Sequence, residues 1–150
     1  MESISERLER ENIRLASFDK RLFAHLIDDV IISALFFVIY YGAFKNAAGD
    51  VQAMIAVINS FIWQLMLLKV LYHTFFVWRY GATLGKIVMG IMVLDGEILD
   101  FPSLPKALIR ACVRIISELC FYLGFIWMLG NAAKQSWHDK LSGTIVCENK

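Results

Sequence analysis

The sequence predicts an all-α membrane protein: two to three transmembrane helices, with a small cytoplasmic β-hairpin between the second and third hydrophobic segments. Three observations predict this. Hydrophobic residues make up 58% of the 150 residues, above the ~45–50% of an ordinary soluble domain. Charged residues make up 19%, below the usual ~25%, too few to cover a soluble core. The apolar residues also gather into three runs, at about 22–44, 53–78 and 107–133, each long enough for the ~20 residues a bilayer crossing needs.

Residues 1–20 read as a charged cytoplasmic helix. Ser3 and Glu6 have capping-box spacing, and Ile4, Leu8 and Leu15 form only a thin apolar stripe. No secretory leader is expected, because this stretch mixes Glu and Arg and has no apolar run. In the first hydrophobic segment the clean apolar stretch, 30–44, is too short to cross alone. It needs 22–29 as well, which brings His25, Asp28 and Asp29 into the first turns. A polar connection at 45–52 leads to the second segment, which carries Asn59, Gln64, Lys69 and His73 and ends on Trp78 beside Arg79, an interfacial anchor.

Residues 80–105 contain four glycines and both prolines. Asp95-Gly96 between IMVL and EIL predicts a type I′ hairpin. In the third segment Arg110, Arg114 and Glu118 recur every four residues and share a helix face. Beyond them the chain is nearly charge-free, and Gly124 and Gly130 permit a bend. The tail, 134–150, is polar, with TIVC as a short strand able to pair with the hairpin.

Arg7, Arg10, Arg14, Lys20 and Arg21 precede the first segment and only Lys45 follows it, so the N-terminus is expected in the cytoplasm of a multi-pass plasma (inner) membrane protein. A third span would put Lys134, Lys140 and Lys150 outside. That conflict leaves the third segment as one that spans or re-enters.

Several function classes are disfavoured. A net charge of +1 gives no basic field for nucleic acid. The three cysteines form no CxxC pair, and Cys112 and Cys120 lie about 12 Å apart on one helix, too far for a disulfide. No metal spacing joins His25, His73 and His138. Gly81 to Lys86 has three residues between its glycines, where a phosphate-binding loop has four. No nucleophile motif accompanies His138-Asp139, so neither an enzyme nor a cofactor is expected.

The remaining charges are the candidate site. Ionisable groups in a bilayer cost roughly 2.5–3.5 kcal/mol each at a helix centre. Arg21, His25 and Asp28 share a helix face, as an ion site on Asp28 or as an interfacial anchor. Lys69 sits too deep for easy snorkelling, and Asp28 or Asp29 is its expected counter-charge; bonding to backbone carbonyls is the plainer alternative. Arg110, Arg114 and Glu118 make a second cluster, for lipid phosphate, for structure, or as a clamp on Asp139. Asp139 itself caps a turn or ties the tail back to Arg110 or Arg21.

RLFAHLID (21–28), GATLGKIVMGIMVLD (81–95), LIRACVR (108–114) and SWHDKLSGTIV (136–146) resemble the RDD family of small integral membrane proteins, over residues 21–148. The resemblance places the family arginine on Arg21 and its two aspartates on Asp28 and Asp139, with Thr83, Gly85 and Lys86 matching its T-x-G-K stretch. Asp29, directly after Asp28, is a local departure. The resemblance implies a membrane domain and, for some members, proton or cation exchange. Two functions follow as expectations. One is a transporter with Arg21, Asp28, Asp29, Lys69 and Asp139 as its binding residues. The other is a non-transporting accessory protein whose charges are structural and whose hairpin binds a partner. Few helices enclose no pathway alone, so a homo-oligomer or larger membrane complex is expected, with lipid as its surroundings.

Overall fold

The computed structural model describes residues 4–120, 123–130 and 134–149. It is mostly helical, with two long apolar helices and a two-stranded antiparallel sheet. Helix α1 is Ile4–Arg10 and α2 is Phe18–Ile39. The expected helix over 1–20 is therefore interrupted. After Arg10 the chain turns through Asn12 at φ 52, and residues 14–16 run extended beside the sheet, where the Ala16 N–H donates to the Val146 carbonyl and the Glu148 N–H to that of Arg14. Ser3 of the expected capping box lies outside the described residues.

Ser17 caps α2, its hydroxyl accepting from the Lys20 N–H. Along α2 the buried residues Arg21, Ala24, His25, Asp28, Ile32 and Phe36 recur every three or four positions, one helical face. Phe23, Leu26, Val30, Leu35, Phe37 and Val38 are exposed. A helix that turns its larger apolar side chains outward is built for lipid rather than water. The short helix α3, Tyr41–Asn46, leads to α4, Val51–Tyr80. Asp50 caps α4 by accepting from the Gln52 and Ala53 N–H groups. At 1.5 Å per residue α4 is about 45 Å long and α2 about 33 Å, both enough for the ~30 Å hydrocarbon core. Among the described residues, these two helices alone are long and apolar enough to cross a membrane. Gly81 ends α4 in the left-handed conformation, φ 67, where a Cβ would also strike the Phe101 ring at 2.6 Å.

A short helix α5, Leu84–Val88, then leads into strand β1, Ile91–Asp95. Its partner is β2, Thr144–Glu148, in the register Ile91↔Glu148, Val93↔Val146, Asp95↔Thr144. The expected hairpin across Asp95-Gly96 is not formed. The Asp95 N–H donates to the Asp100 carbonyl and the Leu99 N–H to that of Asp95, so the chain curls on itself. Gly96 gives its own N–H to the Gly143 carbonyl. The tail strand takes the place that a return strand would have filled. Both faces of this small sheet are buried. Ile91, Val93 and Val146 pack with Ala24, Val77 and Ala107; Leu94, Ile145 and Cys147 pack under Leu8 of α1.

Helix α6, Leu104–Leu119, forms the first part of the expected third segment. It has 16 residues, short of the ~20 needed to cross, and is followed by α7, Leu123–Ile126, and a 3₁₀ turn, Trp127–Gly130. Residues 121–122 and 131–133 lie outside the described residues; of the two glycines at which a bend is expected, Gly124 falls within α7 and Gly130 ends the 3₁₀ turn. The helix is inverted relative to a soluble one. Ala107, Arg110, Ala111, Arg114 and Ser117 are its buried stripe, while Leu108, Ile109, Ile116 and Leu119 are exposed. A charged stripe held by protein and an apolar stripe turned outward is the pattern of a helix lying in the membrane surface. The last helix, α8, is Trp137–Ser142.

Cys112 lies on the exposed stripe of α6. A spin label on Cys112 in reconstituted vesicles should collide more with dissolved oxygen than with a water-soluble nickel chelate. The reverse preference would show that this stripe faces water.

Candidate functional site

The buried charges converge where the N-terminal half of α2, the C-terminal half of α4, α5, α6 and α8 meet. Asp139 is its centre and is 0% exposed. It stands at the third position of α8, where its carboxylate accepts from the Ser136 N–H at 3.1 Å and the Ser136 hydroxyl at 2.9 Å. This is the reciprocal capping box, with Ser136 rather than Asp139 as the N-cap. The same carboxylate accepts from Arg21 Nη1 at 3.0 Å and from Arg110 Nη1. Arg21 also donates to the Val146 carbonyl, and Arg110 to the Thr144 hydroxyl. Burial pushes the Asp139 carboxyl up, but Arg110 and Arg21 outweigh it and hold the group well below the usual carboxylate range.

Asp28, also 0% exposed, has no arginine partner among the described contacts. Its oxygens accept from the Thr83 hydroxyl at 2.6 Å, the Gly85 N–H at 2.8 Å and the Tyr72 hydroxyl at 2.9 Å. Three protein donors satisfy its two oxygens. Gly85 is required by close approach: a Cβ there would meet the Ala24 carbonyl oxygen at 2.2 Å. The first glycine of α5 thus lets that helix rest directly on α2.

Asp29 turns to the other side. Lys69 Nζ lies 3.3 Å from Asp29 and 2.6 Å from Glu118. Arg114 Nε donates to Glu118 at 3.2 Å, its Nη2 stands 3.8 Å from Asp29, and its Nη1 contacts the His73 ring. Lys69 therefore has Asp29, not Asp28, and an additional partner on α6. Arg21 pairs with Asp139 across the chain rather than with Asp28 along its own helix.

A cavity of about 10 Å³ lies inside this layer, lined on its polar side by His25, His73, Lys86, Arg110, Arg114 and His138. Burial pulls Lys86 down to about 7, the nearby Asp28 countering and Arg110 and Arg114 adding to the effect. Burial also pushes the His138 imidazole well below its ordinary value, so it is neutral. No group of three or more His, Cys, Asp or Glu with metal-holding geometry occurs among the described residues. An open groove of about 510 Å³ lies elsewhere, between residues 12–14 and the sheet; none of the charge-layer residues lines it.

Sequence spacing did not reveal Tyr72 and Thr83 as donors to Asp28, or Thr144 as a partner of Arg110. Thr83 and Lys86 had one signal, their place in the T-x-G-K stretch. Tyr72 had none, because an aromatic in an apolar helix reads as packing.

The RDD family model matches residues 15–143. An uncharacterized protein of Rickettsia prowazekii (strain Madrid E) is 33% identical over 73 residues, 48% of this chain and 40% of that protein. The matched stretch thus covers well under half of the relative's length. No solved structure matches the chain significantly.

Asp139→Asn keeps the shape but leaves Arg21 and Arg110 buried without a counter-charge. Such a loss costs about 3–5 kcal/mol, measurable by denaturant unfolding in detergent at neutral pH. Because the folded value of Asp139 is depressed, its contribution is complete above the ordinary carboxylate value of 3.8 and declines as pH falls below it. The variant should therefore lose some of the wild-type acid sensitivity as well.

Proposed function

The chain belongs to the RDD family, and from that premise we propose a non-transporting accessory or scaffold protein of the plasma (inner) membrane. Its two spans anchor a charge-locked layer at the cytoplasmic face. The observation that carries this reading is the engagement of the family's own charged residues. Arg21 and Asp139 bond to each other, Arg110 closes the same carboxylate, and three protein donors fill Asp28. A carboxylate that loads and releases ions needs an open coordination position or a path to one, and Asp28 lies wholly inside protein. Between Val30 and Leu68 the only Asp, Glu, His, Lys or Arg residues are Lys45 and Asp50, both in the connection between α2 and α4. No relay of carboxylates, imidazoles or amines runs from the charged layer through the apolar halves of the spans. Of the 15 Lys and Arg, that connection holds only Lys45, which supports a cytoplasmic charged layer.

An accessory protein needs a surface for its partner. Ala56, Asn59, Ser60, Trp63, Gln64 and Leu67 occupy one arc of α4, and all are exposed. The Ser60 hydroxyl is satisfied by the Ala56 carbonyl. Asn59 and Gln64 lie about 12 and 20 Å along the helix, at a depth where an amide facing lipid is costly. A second copy of the same face would give both amides hydrogen-bond partners. In mild detergent, cross-linking should capture a homo-oligomer that the double substitution Asn59→Leu, Gln64→Leu dissociates. An unchanged oligomer, or a wild-type monomer, counts against this surface.

A second reading, transport of protons or cations through a multimer, draws support from Lys86, a buried ionisable group near neutrality. Vesicles carrying the wild-type chain under an imposed pH gradient separate the two. The accessory reading expects the gradient to decay as in protein-free vesicles. Decay that is faster, and that Asp28→Asn abolishes, establishes transport instead.

A further inference from the structure

Lys86 is the charge that the paired carboxylates leave over. It is 5% exposed, and among the described residues no hydrogen bond or ion pair engages its Nζ. In the layer around it, α2 contributes Arg21, Asp28 and Asp29, α4 contributes Lys69, α6 contributes Arg110, Arg114 and Glu118, and α8 contributes Asp139. With Lys86 protonated, five cations face four carboxylates. The three histidines supply no negative charge in any state. The Arg114 guanidinium is also incomplete: Nη2 is buried without a hydrogen bond, and Asp29 stands 3.8 Å from it. His138 Nδ1 is also buried without one. Lys86, Arg114 and His138 all line the same 10 Å³ cavity.

We propose that Lys86 and Arg114 bind one chloride-sized anion in the cavity where α2, α4, α5, α6 and α8 meet. Size selects the class of ligand. The cavity has room for about one water-sized occupant, which admits a halide after small side-chain shifts and shuts out phosphate, sulfate or a carboxylate. Charge selects its sign, because the polar lining is Lys, Arg and His throughout and a cation would find no oxygen ligand there. Donors are supplied by Lys86 Nζ and Arg114 Nη2; the Ser136 hydroxyl gives its proton to Asp139 and accepts from His138 Nε2, so His138 bounds the cavity without donating into it. The bound anion restores charge balance inside the layer, so α5 is held to α6 through the ion as well as to α2 through Asp28.

Binding is linked to protonation of Lys86. Asp28 and Asp139 favour the charged amine; burial, Arg110 and Arg114 oppose it. His25 from α2, His73 from α4 and His138 from α8 complete the titratable surroundings. An anion beside the amine favours the charged form, so the anion and a proton enter together. Affinity is highest below the Lys86 value of about 7 and declines as pH rises above it.

The test uses the full chain in detergent, with sodium chloride compared against sodium gluconate at equal ionic strength. At about pH 6, chloride should raise the unfolding midpoint by about 3 °C or more, and at about pH 9 the difference should vanish. Lys86→Met removes the excess charge, so it should fold and show no chloride response at either pH. An equal response in this variant places the chloride effect elsewhere and overturns the proposal. Crystals of the wild-type chain grown in bromide give a readout that needs no variant. An anomalous peak between Lys86 and Arg114 is expected; bromide confined to the protein surface overturns it.

Discussion

The carboxylate of Asp139, held between Arg21 and Arg110, is the constraint on which the rest of the structure depends. Arg21 belongs to the first turns of α2, Arg110 to α6, and Asp139 to α8. One buried group thus joins elements 118 residues apart in sequence. The same arginines extend the connection to the sheet, Arg21 through the Val146 carbonyl and Arg110 through the Thr144 hydroxyl. With Thr144 at the first position of β2, its register against β1 is set at the end nearest the charges. The bonds are geometrically demanding, since each guanidinium offers a planar fork and each accepting oxygen is fixed by backbone or cap.

Asp28 has a different role, about two helical turns beyond Arg21 on the same helix. It holds no cation directly but gathers a hydroxyl from α4, a hydroxyl from the loop after α4, and the first free N–H of α5. Because Gly85 lacks a side chain, α5 descends until its backbone touches the Ala24 carbonyl region of α2. Asp29, rotated by about 100° on the same helix, faces Lys69 and Arg114 instead. Two adjacent carboxylates therefore serve different faces of α2: one seats α5, and the other meets the Lys69–Glu118 pair that links α4 to α6.

Much of this was legible in the sequence, and the features that were not share a physical cause. The two spans follow from run length and composition alone. The face common to Arg21, His25 and Asp28, and that of Arg110, Arg114 and Glu118, follow from helical periodicity. Spacing tells which residues lie on one face but not what lies opposite. Hence Lys69 could be matched to either Asp28 or Asp29, and Asp139 to either Arg21 or Arg110, when in fact it takes both. The hairpin failed for a related reason. Asp95-Gly96 is a good turn signal, but a turn needs only local bonds, and the competing partner for β1 lay 49 residues further along the register. Hydropathy left the third hydrophobic run open between spanning and re-entering, because it counts apolar residues without asking which side of a helix they occupy. In α6 the apolar residues face outward and the charges inward.

The location of the charges also bears on why so few helices hold a defined arrangement. Lipid-facing Leu, Ile and Phe pack against tails that are as apolar as themselves, so they say little about the rotation of one span relative to another. Exposed apolar positions line α2 and α4 along most of their length, and aromatic contacts such as Tyr40 on Phe61 tie their far ends. At the charged end the requirement is stricter. Rotating α2 by one residue would withdraw Asp28 from Tyr72, Thr83 and Gly85 and turn Arg21 away from Asp139 in the same motion. Each displaced group would then be buried without a partner, a cost of several kcal/mol per ion. Apolar packing against lipid tolerates many rotations of the two spans; the charged layer tolerates one. The boundary position makes this affordable, because ions close to the headgroups carry a smaller insertion penalty than ions at the bilayer centre.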